Sequence, residues 1–430
     1  MSVPMSETGL IRAYSGLTRV MAPVLPIWLK RRALQGKEDL ARQGERFGET
    51  DKARPAGFLI WMHGASIGEV TMMFPLIDRL LAEYQNAHIL VTSGTVTSAK
   101  LLAERLPERA FHQYVPLDTP VAVSNFLSHW RPDLALWTES EIWPNLISQT
   151  KAAGIPMALV NARMSEKSIQ NWFKRRKSAK ALFGHFDLIL AANEDTANGL
   201  SWLLGETYES AGNLKDAAPA LPFKQAEYNA IRKKIAGRPV WCAASTHKGE
   251  DEIIIDAHRE IRKIHKDALL ILAPRHPDRR DEIKAMLTGD KFLSRSEGKT
   301  PGKTPSVYLF DTIGEMGLAY QLADVTFVCG SLVDGLMGHN PLEPARLNNA
   351  ILTGAHISSF SDTFMRMFAF DAAQRVLNPD MIAETVNGLF SDADMMRYFQ
   401  TQALDFAQSR DAVLDYVWDK LSPILPEKAA

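Results

Sequence analysis

After residue 56 the chain repeats one unit: a short apolar run, a turn and a helix-like stretch. That rhythm leaves few folds open. Residues 58–61 (FLIW) precede Gly64, Gly68 and MMFPLIDRLLAEY, and residues 88–91 precede a Thr/Ser/Gly turn and TSAKLLAERL. Residues 133–137 precede a Glu-rich turn and WPNLISQTKAAG. Residues 157–160 precede N-A-R-M-S, and residues 186–190 precede a short helix that Asn193 suits as a cap. Strands that are apolar throughout and alternate with helices read as a mainly parallel sheet covered on both faces. Pro219, Pro222 and G-R-P at 237–239 bracket a break over residues 216–236, read as a linker. The alternation restarts at 240–244, 268–273, 307–310, 325–329 and 351–353, with a polar surface loop at 295–305 and an all-helical end over 392–421.

A length of 430 residues exceeds one ordinary core. The expected class is α/β, with two Rossmann-like domains facing an inter-domain cleft. Residues 1–35 form an N-terminal helix, 36–218 a first α/β domain and 219–430 a second one with C-terminal helices. Ligands in such sheets bind beyond the carboxyl ends of the strands. Lys+Arg is 49 against Asp+Glu 50, so bulk charge gives no attraction to nucleic acid. Cys242 and Cys329 each sit in an apolar run and read as buried thiols, not as a disulfide or a metal site.

At the N-terminus, Leu10, Tyr14, Leu17, Met21, Leu25 and Trp28 recur at helical spacing. Arg12 and Arg19 make the segment too charged for a confident spanning helix, and no small-residue cleavage site follows. The basic run 30–32 beside Trp28 suits an amphipathic helix lying on a membrane surface; packing on the first domain is the plainer alternative. A second basic run, 174–177 (KRRK), reads as a solvated face or as a contact for anionic headgroups.

The strand-end loops carry the candidate chemistry. In H-G-A-S-I-G-E, residues 63–69, the spacing of Ser66 and Glu69 matches a capping box, while Gly64 and Gly68 allow close backbone approach. Glu69 either completes that cap or acts as a general base whose basicity is raised by desolvation. T-E-S-E-I-W-P-N, residues 138–145, places Glu139 and Glu141 directly after a strand; one is expected to orient a reacting centre and the other to cap the next helix. G-N-L-K, residues 212–215, offers the Lys215 ammonium. In the second half, S-T-H-K-G-E (245–250) contains Ser245 and Thr246, P-R-H-P-D-R (274–279) contains Pro274, Arg275 and His276, and D-T-I-G-E-M (311–316) contains Gly314, Glu315 and Met316. G-H-N-P-L-E, residues 338–343, contains His339, Asn340, Pro341, Leu342 and Glu343. There Asn340 reads as an N-cap, Pro341 as the first helical residue, and Glu343 as a carboxylate for two adjacent ribose hydroxyls or simply a complement to the helix dipole. Arg275 suits a bidentate grip on phosphate. Ser245 or Thr246, and Asp311 or Thr312, are alternatively plain helix caps. No Walker A motif, G-x-G-x-x-G or zinc spacing is present, and no D-x-D pair follows a strand, so no cofactor and no essential divalent ion are expected.

Taken in order, GKEDLARQGERFG, HGASIGEV, TESEIWPNL, NARMS, GNLK, STHKGE, PRHPDR, DTIGEM and GHNPLEPA resemble the 3-deoxy-D-manno-octulosonic acid (Kdo) transferases of lipopolysaccharide synthesis, over nearly the whole chain. The resemblance implies a GT-B architecture and an inverting glycosyltransferase. It implies CMP-Kdo as donor and a lipid A precursor (lipid IVA) as acceptor, at the cytoplasmic face of the inner membrane, with monotopic or peripheral attachment and no nucleic acid. It implies Glu69 as proton acceptor, and Glu139 and Lys215 as stabilisers of the transition state. Pro274, Arg275, Gly314, Glu315, Met316, Asn340, Pro341, Leu342 and Glu343 then match the CMP-binding segments, with Ser66, Gly68, Ser245, Thr246, His276 and His339 as further site candidates. The chain departs from the family pattern at Met337, where a glycine is common, and at Asp216, which follows Lys215 without the usual intervening aromatic. The fold alone also admits a UDP-sugar transferase or epimerase, or a non-catalytic nucleotide-binding membrane scaffold.

Overall fold

The computed structural model describes residues 8–217 and 219–426; the expected N-terminal segment 1–35 therefore lies partly outside the described residues. The chain divides into two compact units, Met1–Ala218 with Asp411–Ala430, and Pro219–Arg410. Each unit holds one parallel sheet.

The first sheet is built from β1 (Phe58–His63), β2 (Ala87–Ser93), β3 (Ala110–Tyr114), β4 (Leu134–Thr138), β5 (Met157–Ala162) and β6 (Leu188–Ala191), in the order β3-β2-β1-β4-β5-β6. Every pairing is parallel. The strand order reverses between β1 and β4, where His63 lies beside Trp137. This is the switch point at which open α/β sheets leave a crevice for ligands. The strands are buried almost throughout because both faces are covered, by the aromatic layer Trp61, Phe126, Trp130 and Trp137 on one side and by Ile60, Met62, Val70 and Ile77 on the other.

The second sheet contains β7 (Val240–Thr246), β8 (Leu269–Pro274), β9 (Phe292–Ser294), β10 (Val307–Leu309), β11 (Val325–Val328), β12 (Ala350–Thr353) and β13 (Gln374–Arg375). Its order is β13-β12-β11-β7-β8-β10-β9, again all parallel, and its switch point lies between β7 and β11. Cys242 and Cys329 are free and buried.

The fold departs from expectation in three places. The end of the chain is helical, as expected, but its last helix, Asp411–Leu421, does not close the second domain. It buries Val413, Val417, Trp418 and Leu421 in the first unit's core. Gly212 is shaped by this contact, since a Cβ there would meet Val413 at 2.8 Å. The stretch 295–305 is not purely a surface loop, because Arg295 is mostly buried between Glu227 and Glu315. The N-terminal stripe is not one continuous helix: Gly9–Met21 and Leu25–Leu34 are separated by a turn of 3₁₀ helix with Pro23 near its start. The first of these helices packs on the first unit through Ile11, Tyr14 and Thr18, with Thr18 accepting from Asn145 Nδ2 (3.1 Å). Its other face leaves Leu10, Leu17, Val20 and Met21 exposed. Among the described residues, no helix is long and apolar enough to cross a membrane.

The motif GKEDLARQGERFG proves to be scaffold. Glu38 pairs with Arg32 (2.9 Å) and Arg46 (3.6 Å), and Glu45 takes both Arg42 and the Tyr114 N–H. Gly48 has φ 77°, and a Cβ on it would strike the Ala122 carbonyl.

Candidate active site

In the first unit, the loops after β1 and β4 meet at the switch point. The helix Ile67–Glu83 starts at Ser66, whose Oγ accepts from the Glu69 N–H (3.4 Å) and donates to Glu69 Oε1 (2.8 Å). Glu69 Oε2 accepts from the Ala65 N–H (2.8 Å). The capping box is therefore present, shifted so that the carboxylate reaches the residue before the cap. Capping does not use Glu69 up. The side chain is 8% exposed, and burial raises its pKa above the ordinary glutamate value. The hydrogen bonds from Ser66 and Ala65 pull the other way, and the negative charges of Glu141 and Glu139 raise it further. Gly64 is required at this corner, because a Cβ would lie 2.7 Å from Met73 and 2.9 Å from the Glu69 Cβ. Gly68 carries no such constraint: its nearest neighbour would be Lys215 Nζ at 3.8 Å.

Glu139 follows β4 with φ 54°, a left-handed conformation that costs a non-glycine residue of order 1 kcal/mol and needs surrounding structure to hold it. Its Oε1 takes Lys215 Nζ at 2.5 Å. Lys215 sits in the 3₁₀ turn Leu214–Ala217, which is fastened by Asn161 Oδ1 accepting from the Leu214 N–H (2.8 Å). Asn161 is buried at the end of β5 and also has φ 54°. Its fastening role was not foreseen, although N-A-R-M-S was visible as a strand-end motif. Asp216 is buried in the same turn, so this departure from the family pattern leaves Lys215 beside Glu139. The expectation that one of Glu139 and Glu141 caps the next helix fails. Pro144–Ala152 is capped by Asp118, whose carboxylate accepts from the Asn145 and Leu146 N–H groups (3.2 and 2.8 Å). Glu141 instead accepts from the Trp143 indole (2.6 Å) and faces His63 Nε2 at 3.9 Å. Burial opposes its charge, but the facing imidazole and the indole N–H outweigh burial and hold its pKa below the ordinary value. His63 is fully buried, with Nδ1 3.0 Å from Thr92 Oγ1 and no hydrogen-bond partner for Nε2 among the described residues.

In the second unit, Glu250 organises the switch point. It is fully buried, and its carboxylate accepts four backbone N–H groups: His247 (3.0 Å), Gly330 (2.8 Å), Ser331 (2.9 Å) and Leu332 (3.0 Å). The first of these follows β7 and the other three follow β11, so one carboxylate ties the two strand-end loops together. Sequence reasoning quoted the motif without assigning Glu250 a role, since three of its four partners lie eighty or more residues away. His247 Nε2 lies 2.9 Å from His339 Nε2, with the rings stacked. Burial first, and then the positive neighbours His247, Arg275 and His276, bring the His339 pKa down to about 4. Burial lowers the His247 pKa as well, which favours a neutral pair in which one ring nitrogen donates and the other accepts. Gly330, at φ 73°, makes room for this pair.

Arg275 and His276 are exposed just beyond β8, which ends at Pro274. No described group accepts a hydrogen bond from the Arg275 guanidinium, and its charge acts on His339 and Glu343. The G-H-N-P-L-E turn differs from expectation by one step. The helix is only Leu342–Ala345, and Asn340 Oδ1 accepts from the Leu342 N–H (3.0 Å) in a turn before it. Pro341 and Leu342 are buried supports, and four residues make too short a helix for a sizeable dipole. Burial raises the Glu343 pKa, against the pull of Asn340, Arg275 and the buried Tyr320. Tyr320 was not foreseen. Met337 is exposed, and Gly338 (φ 78°) donates its N–H to the Gly330 carbonyl at 2.7 Å.

Three second-unit candidates are committed to structure. Thr246 donates to Asp251 Oδ1 (2.6 Å), which in turn holds Arg279 (2.5 Å). Glu315 is gripped by Arg295 at 2.6 and 3.2 Å, so its carboxylate is committed, beside Gly314 (φ 81°) and Met316. Asp311 is no helix cap: it holds Ser294 and Ser296. Ser245 is half-buried with φ 62°, at the irregularity between β7 and β8. Among the described residues, no group of three or more His, Cys, Asp and Glu side chains is placed to hold a metal ion.

A family model described as 3-deoxy-D-manno-octulosonic-acid transferase (kdotransferase) matches residues 41–218. A probable mitochondrial 3-deoxy-D-manno-octulosonic acid transferase of Arabidopsis thaliana is 32% identical over 96% of this chain and 95% of its own length. The 3-deoxy-D-manno-octulosonic acid transferase of Haemophilus influenzae is 31% identical over 96% and 98%. Among solved structures, the UDP-GlcNAc 2-epimerase of Neisseria meningitidis bound to UDP-GlcNAc has a TM-score of 0.56 at 14% identity, covering 85% of this chain and all of that one. A glycosyltransferase from Rickettsia africae has 0.55 at 10%, covering 87% and all of its own chain. At such identities the likeness is one of fold, a GT-B-like pair of α/β domains.

Proposed function

Because the chain belongs to the 3-deoxy-D-manno-octulosonic acid transferase family, and is thus a glycosyltransferase, we propose that it moves Kdo from CMP-Kdo to the lipid A precursor lipid IVA, with Glu69 as general base. The acceptor hydroxyl oxygen forms the bond to the anomeric carbon of Kdo. The bond from that carbon to the phosphate oxygen breaks, CMP leaves with the electron pair, and the hydroxyl proton goes to Glu69. Displacement from the opposite side inverts the anomeric centre. The observation that carries this reading is the state of Glu69: a buried carboxyl of raised proton affinity at a sheet switch point, with the Glu139–Lys215 ion pair at its side. In the second unit, Arg275 takes the donor phosphate, the 314–316 loop offers its backbone, and Glu343 takes the ribose hydroxyls.

We place the protein on the cytoplasmic face of the inner membrane, attached without spanning it. Leu17, Val20, Val24 and Ile27 are exposed on the N-terminal helices, followed by exposed Lys30 and Arg31.

The test is mass spectrometry of lipid IVA incubated with the protein and CMP-Kdo, with CMP and UDP as competitors. The expected result is a product heavier by whole Kdo residues, with inhibition by CMP and not by UDP. An unmodified acceptor, or inhibition by UDP alone, would refute the assignment.

A further inference from the structure

One wall of the first unit holds an apolar pocket that the catalytic reading does not use. It has a volume of about 420 Å³ and lies among the helices Gly9–Met21, Pro144–Ala152, Glu166–Phe173 and Arg176–Phe183. Ile11, Tyr14, Trp172 and Leu182 line it, and Trp143 and Arg175 are also on its wall. The volume falls in the range of small-molecule sites, which are concave and mostly apolar with a few polar groups.

Trp143 connects this pocket to the chemistry. Its ring belongs to the pocket wall, while its indole N–H donates to Glu141, two residues from the Glu139 that holds Lys215. A 40% exposed tryptophan fixed in this way forms a shared boundary between a polar strand-end loop and an apolar hollow. Arg175 brings a positive charge to the wall. It is exposed, no described group accepts a hydrogen bond from its guanidinium, and Lys174 and Lys177 beside it are exposed too. Arg176, by contrast, is spent on the Leu203 and Trp202 carbonyls. The pocket therefore combines apolar walls, a cationic edge and a direct bond to the carboxylate loop.

We infer that this pocket takes an acyl chain of the anionic lipid acceptor, with Arg175 meeting a negative group of its headgroup, so that the enzyme selects acylated over deacylated acceptor. The inference rests on the proposed lipid acceptor. Each methylene seated in the pocket should strengthen binding by about fourfold. Apolar walls account for the chain, and the cationic edge favours an anionic lipid over a neutral one.

The experiment compares lipid IVA with its fully deacylated form in the parent protein and in Ser168→Phe, which fills the pocket from the helix Glu166–Phe173; Asn171→Phe serves as a second filling variant. In parallel, quenching of tryptophan fluorescence by a brominated fatty acid reads occupancy beside Trp143 and Trp172 without turnover. The expected result is a KM for lipid IVA at least tenfold below that for the deacylated acceptor, a preference that collapses in the filled variants together with the quenching. Equal KM values in the parent, or full preference and full quenching in both filled variants, would overturn the pocket. Absence of transfer to either acceptor overturns the transferase reading, and the quenching comparison then decides the pocket alone.

Discussion

Glu69 and Glu250 occupy comparable places in the two units, each at the start of the helix that follows the central strand at the switch point, yet their surroundings assign them opposite work. Glu250 accepts four backbone N–H groups and has no exposed surface. Its charge is consumed in holding two loops together. Glu69 accepts one backbone N–H and one hydroxyl, lies near two other carboxylates, and has a raised pKa. The same side chain at the same kind of corner is thus scaffold when its lone pairs are saturated and reactive when they are not.

The largest expected effect is on Glu69. Glu69→Gln should lower transfer about a thousandfold while leaving CMP affinity unchanged by calorimetric titration. A raised carboxyl pKa also means that ionised Glu69 weakens the fold at neutral pH: its favourable contribution is full below the unfolded pKa and is lost as pH rises through the folded one. The neutral amide should therefore keep or raise the parent Tm. Glu250→Ala should do the reverse, destabilising the protein by at least about 3 kcal/mol in denaturant unfolding, because four buried donors lose their acceptor. If Glu250→Ala were as stable as the parent but inactive, the contrast would break.

Next in size is Lys215→Ala, with a loss of about a hundredfold in rate. It should also move the acid limb of the rate profile upward, since an unneutralised Glu139 raises Glu69 further. Unchanged pH dependence in this variant would sever the link between the ion pair and the base. The smallest effect is expected at Met337→Gly. The side chain is exposed, so a change of less than about 0.5 kcal/mol in Tm-derived stability should accompany any shift in donor KM.

The long apolar strands and the Asn193 cap were legible in sequence because they depend on neighbours within a few residues; Asn193 does accept from the Thr196 N–H (2.9 Å). Of the four edge strands, Leu188–Ala191 was legible and the other three were missed. Ala110–Tyr114 is half polar, and Phe292–Ser294 and Gln374–Arg375 are too short to show a period. The ion pair of Lys215 with Glu139 joins motifs that the sequence had singled out separately. What could not be read was long-range commitment: Asp118 capping a helix from an earlier loop, Arg295 taking Glu315, and Glu250 reaching Gly330 to Leu332. Each of these turns a polar residue that looks available into one already satisfied, and only the tertiary structure reveals which.

The most direct test is the pH dependence of kcat/KM for Glu69→Gln beside the parent. The parent should show a one-proton acid limb at an apparent pKa above the usual glutamate value of about 4.3, and the residual rate of the variant should be flat through that range. The same limb persisting in Glu69→Gln, or turnover near that of the parent, would contradict the assignment of the base.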